Sequence, residues 1–517
     1  MSDTPEQSAS SPRSLGQRIF SRALDSVERI GNKLPDPITL FVIFVAIVMI
    51  VSALASAFNV SAIHPGTGEE VNAVNLFSKD NLQRIFLEMP QTFAEFPPLG
   101  LVLVVMLGIG VADKTNLIGV ALSAFVSSVP GWLLSASVVF AGLMSSLAVD
   151  AGYVVLIPLG AVIFHGVGRH PLAGLAAAFA GVSAGFSSNL FLTSLDPLLA
   201  SFTTPAANIL DPNYVVDVTA NYYVMVALVP IFTITGAFVT EKIIEPRLGA
   251  YEEEEGLEVE NNEISSLQRR GLWAALIVLI ITLIGIAFMV VPQDAVLRGD
   301  DGSLGPFYRS IVALMLFLFL LPGLAYGIVT KQITSDKQVA RMTSDTMASM
   351  GPYIVLAFAA AHFIAFFNWS NLGIILAIGG ADLLQGIGFT GVPLIFSFII
   401  VSAMLNLFIG SASAKWAVMA PVFVPMLMLL GYSPELTQAL YRVGDSFTNV
   451  LTPLLPYFPL IIIFAQKYQK NIGIGTIIST MLPYSIAYGI VGITTIILWI
   501  LFDLPLGPES PMYYQQP

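Results

Sequence analysis

The chain has 517 residues, of which 56% are hydrophobic and only 11% are charged, and its mean hydropathy is +0.80. A soluble protein would carry about 25% charged residues, so these values identify an integral membrane protein. The net charge of −12 argues against nucleic acid as a partner, and the absence of cysteine excludes disulfides and thiol chemistry.

The predicted membrane spans begin after a polar N-terminal segment, residues 1–37, which lacks the pattern of a signal peptide. A span needs roughly 20 apolar residues. Seven stretches meet this length without interruption: 38–58, 96–113, 221–240, 271–291, 306–329, 351–368 and 474–502. Two more, 171–210 and 434–466, are interrupted near Asn189 and Asn449, which predicts discontinuous helices.

Two other apolar stretches, 130–168 and 393–431, are too long for one helix and have small and polar residues at their midpoints. Two short helices that meet at such a tip form a re-entrant hairpin, which is tolerated only where protein or water surrounds the tip. The predicted fold is therefore an all-α polytopic membrane protein. It has nine transmembrane helices, two of them discontinuous, and two re-entrant helical hairpins.

Basic residues indicate the orientation in the membrane. Five precede the first span, four lie in the linker 241–270, and the tail 503–517 has none. By the positive-inside rule, we expect the N-terminal segment and the linker to be cytoplasmic and the tail to be periplasmic. The linker separates a first transmembrane half, 38–240, from a second half, 271–502.

The two halves show the same features in the same order. TNLIGVAL at 115–122 aligns with SNLGIILA at 370–377, and Asn189 lies 260 residues before Asn449. An odd number of predicted spans separates the two units, so they would enter the membrane from opposite sides. Inverted repeats with discontinuous helices are typical of secondary transporters, whose substrate site lies at the repeat interface near the midplane of the bilayer.

Polar residues at the breaks and tips are candidates for ion binding. Asn189 and Asn449 lie at the breaks, and Asp150 lies at the first predicted tip. Oxygen ligands of this kind suit an alkali cation, so these residues are candidate sodium ligands, although Asp150 could instead cap a hairpin helix. Asp196, which precedes Pro197, could exchange protons during turnover or could simply cap the half-helix that begins there.

Charged and aromatic residues of the second half leave more than one interpretation open. Arg442 and Asp445 are three residues apart, a spacing that permits an ion pair within one helix. The pair is either structural, or Arg442 holds a substrate carboxylate while Asp445 orients it or exchanges protons. Lys415 and Trp416 either anchor the chain at the membrane interface or stack on and neutralise an aromatic acid. His362 is expected to have a packing role.

The sequence offers no H-E-x-x-H motif, no nucleotide-binding P-loop and no reacting dyad at catalytic spacing. We therefore expect no enzymatic activity and no cofactor other than a bound sodium ion. Without a nucleotide-binding loop, transport on this chain would be driven by an ion gradient. The alternative from another class of protein is a non-transporting subunit of a membrane complex.

The chain also resembles the p-aminobenzoyl-glutamate transporter (AbgT) family of bacterial inner-membrane proteins over nearly its whole length after residue 20. The resemblance lies in four blocks: LTSLDP (192–197), GSASAKWAVMAPVFVPML (410–427), GYSPELTQALYRVGDS (431–446) and TNVLTPLLPYFPLI (448–461). It implies a homodimer in which each protomer has nine spans and two re-entrant hairpins.

The resemblance further implies transport of p-aminobenzoyl-glutamate, or efflux of p-aminobenzoate-like compounds including sulfonamide antibiotics, driven by the proton motive force, with sodium implicated in the central site. Matched by motif, the family's functional positions fall on Asp196, Ser413, Trp416, Pro434, Arg442, Asp445 and Pro453. The direction of transport does not transfer safely between members. A sodium-coupled dicarboxylate carrier with the same hairpin architecture is the nearest alternative.

Overall fold

The computed structural model describes residues 37–63, 68–147, 152–251, 264–300, 302–452, 455, 457–470 and 472–515. These residues are mostly helical. The two short strands among them, β1 (Ser61–Ile63) and β2 (Glu70–Asn72), pair as one antiparallel hairpin. The predicted all-α membrane fold is therefore confirmed.

The helices before residue 252 are, in chain order, α1 (Pro37–Ala57), α2 (Lys79–Ala94), α3 (Pro97–Lys114), α4 (Leu117–Ser127), α5 (Leu134–Met144), α6 (Ile157–Gly166), α7 (Pro171–Phe179), α8 (Leu195–Ala207), α9 (Tyr222–Val239) and α10 (Glu245–Leu248). Short 3₁₀ turns lie at either end of α5, at Gly131–Leu133 and Ser145–Leu147. Single π-helical turns lie before α6, after α7 and after α9, at Gly152–Leu156, Ala180–Ala184 and Thr240–Ile244.

The helices after residue 263 are α11 (Ser266–Val290), α12 (Gly305–Val329), α13 (Asp336–Ser349), α14 (Gly351–Trp369), α15 (Leu372–Gly386), α16 (Gly391–Asn406), α17 (Ala412–Leu429), α18 (Pro434–Thr448), α19 (Phe458–Gln466) and α20 (Ile474–Leu501). The C-terminal tail, residues 503–517, is bound to two helices by backbone hydrogen bonds. Met512 accepts a backbone hydrogen bond from Ser433 at the start of α18, and Leu506 accepts one from Tyr223 of α9.

Eight helices in the described ranges are long and apolar enough to cross a membrane. Each of the seven uninterrupted stretches predicted from the sequence coincides with one of them, and the eighth is α17, which was predicted to form part of the second hairpin. The discontinuous helices fall outside this count because their halves are short. The nine-span arrangement therefore stays a prediction.

The two halves repeat the same order of elements. Helices α2 to α4 precede the first hairpin stretch, and α13 to α15 precede the second. The sequence did not predict α2, α4, α13 and α15, because α2 and α13 are too polar, and α4 and α15 too short, to resemble membrane spans. The short helices α4 and α15 both start after a left-handed asparagine, Asn116 with φ 57° and Asn371 with φ 59°, a conformation that asparagine tolerates better than most residues.

Glycines allow the helices of each half to approach closely. A side chain on Gly142 of α5 would come within 2.7 Å of the Gly181 backbone, and one on Gly444 of α18 would lie 2.5 Å from the Ile399 carbonyl of α16. Because membrane helices associate largely through van der Waals packing, small residues at such crossings bring the backbones together. Each hairpin stretch is thereby held against the discontinuous helix of its own half.

Both predicted breaks are present. In the first half, helical structure stops between Ala184 and Leu195, and in the second α18 ends at Thr448 and α19 begins at Phe458. Residues 181–185 read G-V-S-A-G, which matches the nucleophile-elbow pattern of hydrolases. Here, however, the stretch lies in the π-helical turn that ends a helix rather than between a strand and a helix, so the match carries no catalytic meaning.

Candidate functional site

Helix α18 carries a row of buried polar side chains on one face. The row consists of Glu435, Gln438, Arg442, Asp445 and Asn449, spaced alternately by three and four residues. Such a spacing places side chains on one helix face. The most exposed of the five, Asn449, is only 7% exposed. Because a buried polar group without a partner is costly, the partners of this row define the site.

The start of α18 explains the position of that row. Pro434 is the first helical residue, where its missing N–H costs no hydrogen bond. The Ser433 hydroxyl caps the helix by accepting from the Leu436 N–H at 3.0 Å. The helix therefore has a fixed starting point, from which the polar row extends toward the break at Asn449.

Arg442 forms an ion pair with Asp196 of α8, on the other half of the molecule. Arg442 Nη1 lies 2.6 Å from Asp196 Oδ1, and both side chains are almost completely buried. The second carboxylate oxygen of Asp196 accepts from the Thr193 backbone N–H at 2.6 Å and from its hydroxyl at 2.9 Å. Asp196 therefore organises the break in front of α8 and neutralises Arg442 at the same time.

Asp445 pairs with Lys415 of α17 rather than with Arg442. The interpretation of Arg442 and Asp445 as an intrahelical ion pair is therefore wrong. Each residue finds an opposite charge on a neighbouring helix. Interfacial anchoring by Lys415 and Trp416 is also wrong, since both side chains are 0% exposed. Removing either partner of such a buried pair destabilises the protein, because it leaves the other charge buried and uncompensated.

Asn406, at the end of α16, connects this second ion pair to the break. Its carbonyl oxygen accepts from Lys415 Nζ at 2.6 Å. Its amide group donates to the Asp445 backbone carbonyl at 2.6 Å and to the Asn449 side chain at 2.7 Å. The end of one hairpin helix and the break of the discontinuous helix are thereby joined through one side chain.

The buried aromatic residues of the site stack between α17 and α18. The rings of Trp416 and Tyr441 lie 4.5 Å apart at an interplanar angle of 29°. Trp416 Nε1 donates to Thr203 Oγ1 of α8 at 2.9 Å, and the Tyr441 hydroxyl donates to the Ala412 carbonyl at 2.6 Å. Trp416 thus ties the second hairpin stretch to the first half of the molecule.

Ser413 lies in the first turn of α17. Ser411 caps the helix by accepting from the Ala414 N–H at 3.3 Å, and its hydroxyl lies 3.2 Å from that of Ser413. Ser411 and Ser413 are half-buried, whereas Ala414 to Ala417 are buried. The N-terminus of a helix favours a negatively charged group.

The asparagines at the breaks contact the hairpin stretch of their own half. Asn189 donates to Ser146 Oγ at 2.9 Å, next to the first tip, and Asn449 accepts from Asn406. Asp150 and Pro453, two further predicted site residues, lie outside the described residues. Within the described ranges, no group of three or more His, Cys, Asp or Glu residues is arranged to hold a metal ion. Sodium binding by Asn189 and Asn449 stays a prediction.

Four buried polar atoms around the ion pairs have no hydrogen-bond partner among the described residues. They are Ser183 Oγ and Ser187 Oγ near the first break, and Arg442 Nε and Asp445 Oδ2 on α18. Buried polar groups are normally satisfied, so such a set calls for an explanation. An unpaired guanidinium N–H and an unpaired carboxylate oxygen on one helix could receive the acidic and the amino end of one small molecule.

Part of the site was not predicted from the sequence, notably Thr203, Asn406, Glu435, Gln438 and Tyr441. The alternating spacing of polar residues along α18 could have revealed Glu435 and Gln438, because a buried apolar helix would not repeat polar residues on one face. The sequence carried no such signal for Thr203 or Asn406. His362 is buried, with Nδ1 2.7 Å from the Phe358 carbonyl, which agrees with a packing role.

Comparison with known proteins identifies the family. The model of the AbgT putative transporter family matches residues 22–514. The p-aminobenzoyl-glutamate transport protein of Escherichia coli (strain K12) is 38% identical over 485 residues, which cover 93% of this chain and 95% of that protein.

Two solved structures are similar to this one. The YdaH transporter of Alcanivorax borkumensis is 44% identical with a TM-score of 0.89, covering 92% of this chain and 100% of that one. MtrF of Neisseria gonorrhoeae, described as illuminating a class of antimetabolite efflux pumps, is 45% identical with a TM-score of 0.89, covering 95% and 100%. These relatives are transporters, which confirms the prediction that the chain is not an enzyme. The chain belongs to the AbgT transporter family.

Proposed function

We propose that this protein is a secondary transporter of p-aminobenzoyl-glutamate and p-aminobenzoate-like aromatic acids, and that it exports folate antimetabolites such as sulfonamides. The proton motive force drives the export, and sodium acts as a second ion. The names of the E. coli and N. gonorrhoeae relatives support this substrate class. Export of sulfonamides would contribute to antibiotic resistance.

The proposed membrane arrangement is that of an inner-membrane homodimer. Each protomer has nine spans and two re-entrant hairpins, at 130–168 and 393–431, in an inverted repeat. The N-terminal segment is cytoplasmic and the tail 503–517 is periplasmic. The repeated order of elements and the two breaks support this arrangement, because broken helices in repeated units are typical of secondary transporters.

One observation carries the substrate proposal: the unpaired Nε of Arg442 and the unpaired Oδ2 of Asp445 lie on one buried helix face. The two residues are separated by about 4.5 Å along the helix axis, at 1.5 Å per residue. All the proposed substrates carry an aromatic amine at one end of a ring. At the other end they carry a carboxylate, a sulfonamide or, in p-aminobenzoyl-glutamate, an amide that bears the glutamate carboxylates. The amine would donate to Asp445, and the acidic end would bind Arg442, whose planar guanidinium suits such groups.

This binding mode links the substrate to protons. A proton on Asp445 Oδ2 would remove the acceptor that the aromatic amine needs, so proton and substrate would bind in alternation. Alternating occupancy by the two is what a proton-driven exporter requires. Asp196 acts differently: it competes with an anionic substrate for Arg442, and its protonation would free the guanidinium.

Sodium would bind at the breaks. The proposed ligands are Asn189, Asn449 and Asp150, the last outside the described residues. The unpartnered hydroxyls of Ser183 and Ser187 provide further oxygen ligands near the first break, and hard oxygen ligands are those that an alkali cation prefers.

The test is transport of radiolabelled p-aminobenzoyl-glutamate by the purified protein in proteoliposomes. The pH and sodium gradients are imposed independently, with and without a proton uncoupler, and with succinate as a competitor. We expect flux that follows the pH gradient, that the uncoupler abolishes and that succinate does not inhibit. Sodium-driven flux of succinate would favour the dicarboxylate carrier, and no flux of any of these compounds would favour a non-transporting subunit.

A further inference from the structure

Glu435 differs from the other two buried acids around α18. Asp196 and Asp445 each pair with a cation, Arg442 and Lys415 respectively. Glu435 is 3% exposed, yet no Lys or Arg nitrogen among the described residues lies within ion-pair distance of its carboxylate. Ionisable residues inside membrane proteins are costly without a counter-charge, and carboxylates in this situation commonly belong to proton relays.

Besides Ser433 and its own backbone N–H at the start of α18, Glu435 has two partners from the other half of the molecule. The Tyr214 hydroxyl, in the loop between α8 and α9, donates to Glu435 Oε2 at 2.9 Å. The side chain of Asn221, the residue before α9, donates to the Glu435 backbone carbonyl at 2.8 Å. The hydrogen bonds from Tyr214 and Asn221 thus hold the N-terminal end of α18 against the first half.

Tyr214 connects this carboxylate to the surface. Tyr214 is half-buried, and its ring packs against that of Tyr514 in the tail, at 5.8 Å. Burial, followed by the charge of Glu435, raises the pKa of Tyr214, and burial with the nearby Asp211 raises the pKa of Tyr514 to about 12. Both tyrosines therefore stay protonated at neutral pH. Asp217 and Asp211 are the other acids around them, so Glu435 faces acids and phenols rather than cations.

A chain of hydrogen bonds joins this contact to the substrate site. From the Asn221 side chain it runs through Gln438 at 2.8 Å and Thr203 at 2.6 Å to Trp416 at 2.9 Å. Glu435 also shares a helix face with Arg442, about 10 Å away at 1.5 Å per residue. The side-chain amides in this series of hydrogen bonds do not relay protons. Coupling between Glu435 and the substrate site therefore acts through charge and through the packing of α18 against the first half.

We propose that Glu435 is a proton-binding residue that couples protonation to the movement of α18 against the first half of the molecule. The idea rests on the proposed function. A proton from water adds to a carboxylate oxygen, and the Tyr214 hydroxyl then accepts a hydrogen bond instead of donating one. Loss of the charge weakens the contact between the two halves, because charge-assisted hydrogen bonds are about twice as strong as neutral ones. Release of the proton restores that contact.

The test compares gradient-driven transport with substrate exchange by the Glu435→Gln variant in proteoliposomes. The amide has the same shape as the acid but cannot take up the proton. We expect transport driven by a pH gradient to fall by about tenfold, whereas exchange of labelled for unlabelled p-aminobenzoyl-glutamate at equal pH, which needs no net proton movement, continues. Asp382→Asn removes an exposed acid at the end of α15 and serves as the matched control, with both reactions unchanged.

Three results would overturn the inference. Gradient-driven transport by Glu435→Gln at the wild-type rate would show that the proton binds elsewhere. Equal loss of both reactions, in a variant that elutes and melts like the wild type, would make Glu435 a structural residue only. Absence of gradient-driven flux in the wild-type protein would instead refute the proposed function itself, and the inference with it.

Discussion

Helices α7 and α18 occupy the same place in the two halves but have opposite chemistry. Both begin with a proline, Pro171 and Pro434, and both are capped by the side chain that precedes it. All nine residues of α7, PLAGLAAAF, are buried and apolar. The face of α18 that is turned inward carries Glu, Gln, Arg and Asp. The order of helices therefore recurs in the two halves, whereas the row of buried polar side chains lies on α18 alone.

The most severe test of this contrast is Arg442→Ala. The variant should lose transport by a factor of about 100 or more, and its free energy of unfolding should fall by about 3–5 kcal/mol because Asp196 is left buried without a partner. The double variant Asp196→Asn with Arg442→Gln should regain stability but not transport. Flux in proteoliposomes and thermal unfolding in detergent measure the two effects.

The matched control lies on α7. Phe179, 263 residues before Arg442, occupies the corresponding position when the two prolines are aligned. Phe179→Leu changes packing alone and should cost about 1 kcal/mol with transport retained. A loss of transport in Phe179→Leu as complete as in Arg442→Ala would remove the functional difference between the two helices.

The second buried ion pair allows a similar test. Lys415→Met should destabilise the protein by about 3–5 kcal/mol, because it leaves the buried Asp445 uncompensated. Adding Asp445→Asn should recover most of that loss, as measured by a double-mutant cycle of unfolding free energies. If the two substitutions prove additive, the residues do not interact in the way that their contact implies.

The glycine crossings should behave alike in both halves, in contrast to the charged residues. Gly142→Ala and Gly444→Ala each place a methyl group within 2.7 Å of a neighbouring backbone. Each should cost about 1–3 kcal/mol of unfolding free energy, since the backbones must move apart. Thermal unfolding of the two variants checks this expectation. A large effect in only one half would indicate that the scaffold is not equivalent in the two copies.

The smallest expected effect belongs to Trp416→Phe. The substitution keeps the stack on Tyr441 but removes the donor to Thr203, which still bonds Gln438. Loss of one such hydrogen bond should weaken the structure by about 1 kcal/mol. Trp416→Ala, which also removes the stacked ring, should cost more, and equal unfolding temperatures for the two variants would show that stacking contributes nothing.

The sequence predicted much of this architecture. The long apolar runs, the two breaks and the placement of Asp196 and Arg442 near the same site all followed from composition, spacing or motif. The pairing of charges did not follow, because spacing reveals only contacts within one helix, whereas Arg442 binds a residue 246 positions away. The polar helices α2 and α13 were missed for a related reason, since a search for apolar runs passes over helices with charged faces.

The central claim is that Arg442, on the polar face of α18, receives the acidic end of the substrate. The most direct measurement is equilibrium binding of labelled p-aminobenzoyl-glutamate to the purified wild-type protein and to the stability-matched double variant Asp196→Asn with Arg442→Gln. We expect affinity to fall by about tenfold or more in the double variant, because a charge-assisted contact to the ligand is lost. Unchanged affinity in a folded double variant would show that Arg442 does not bind the substrate.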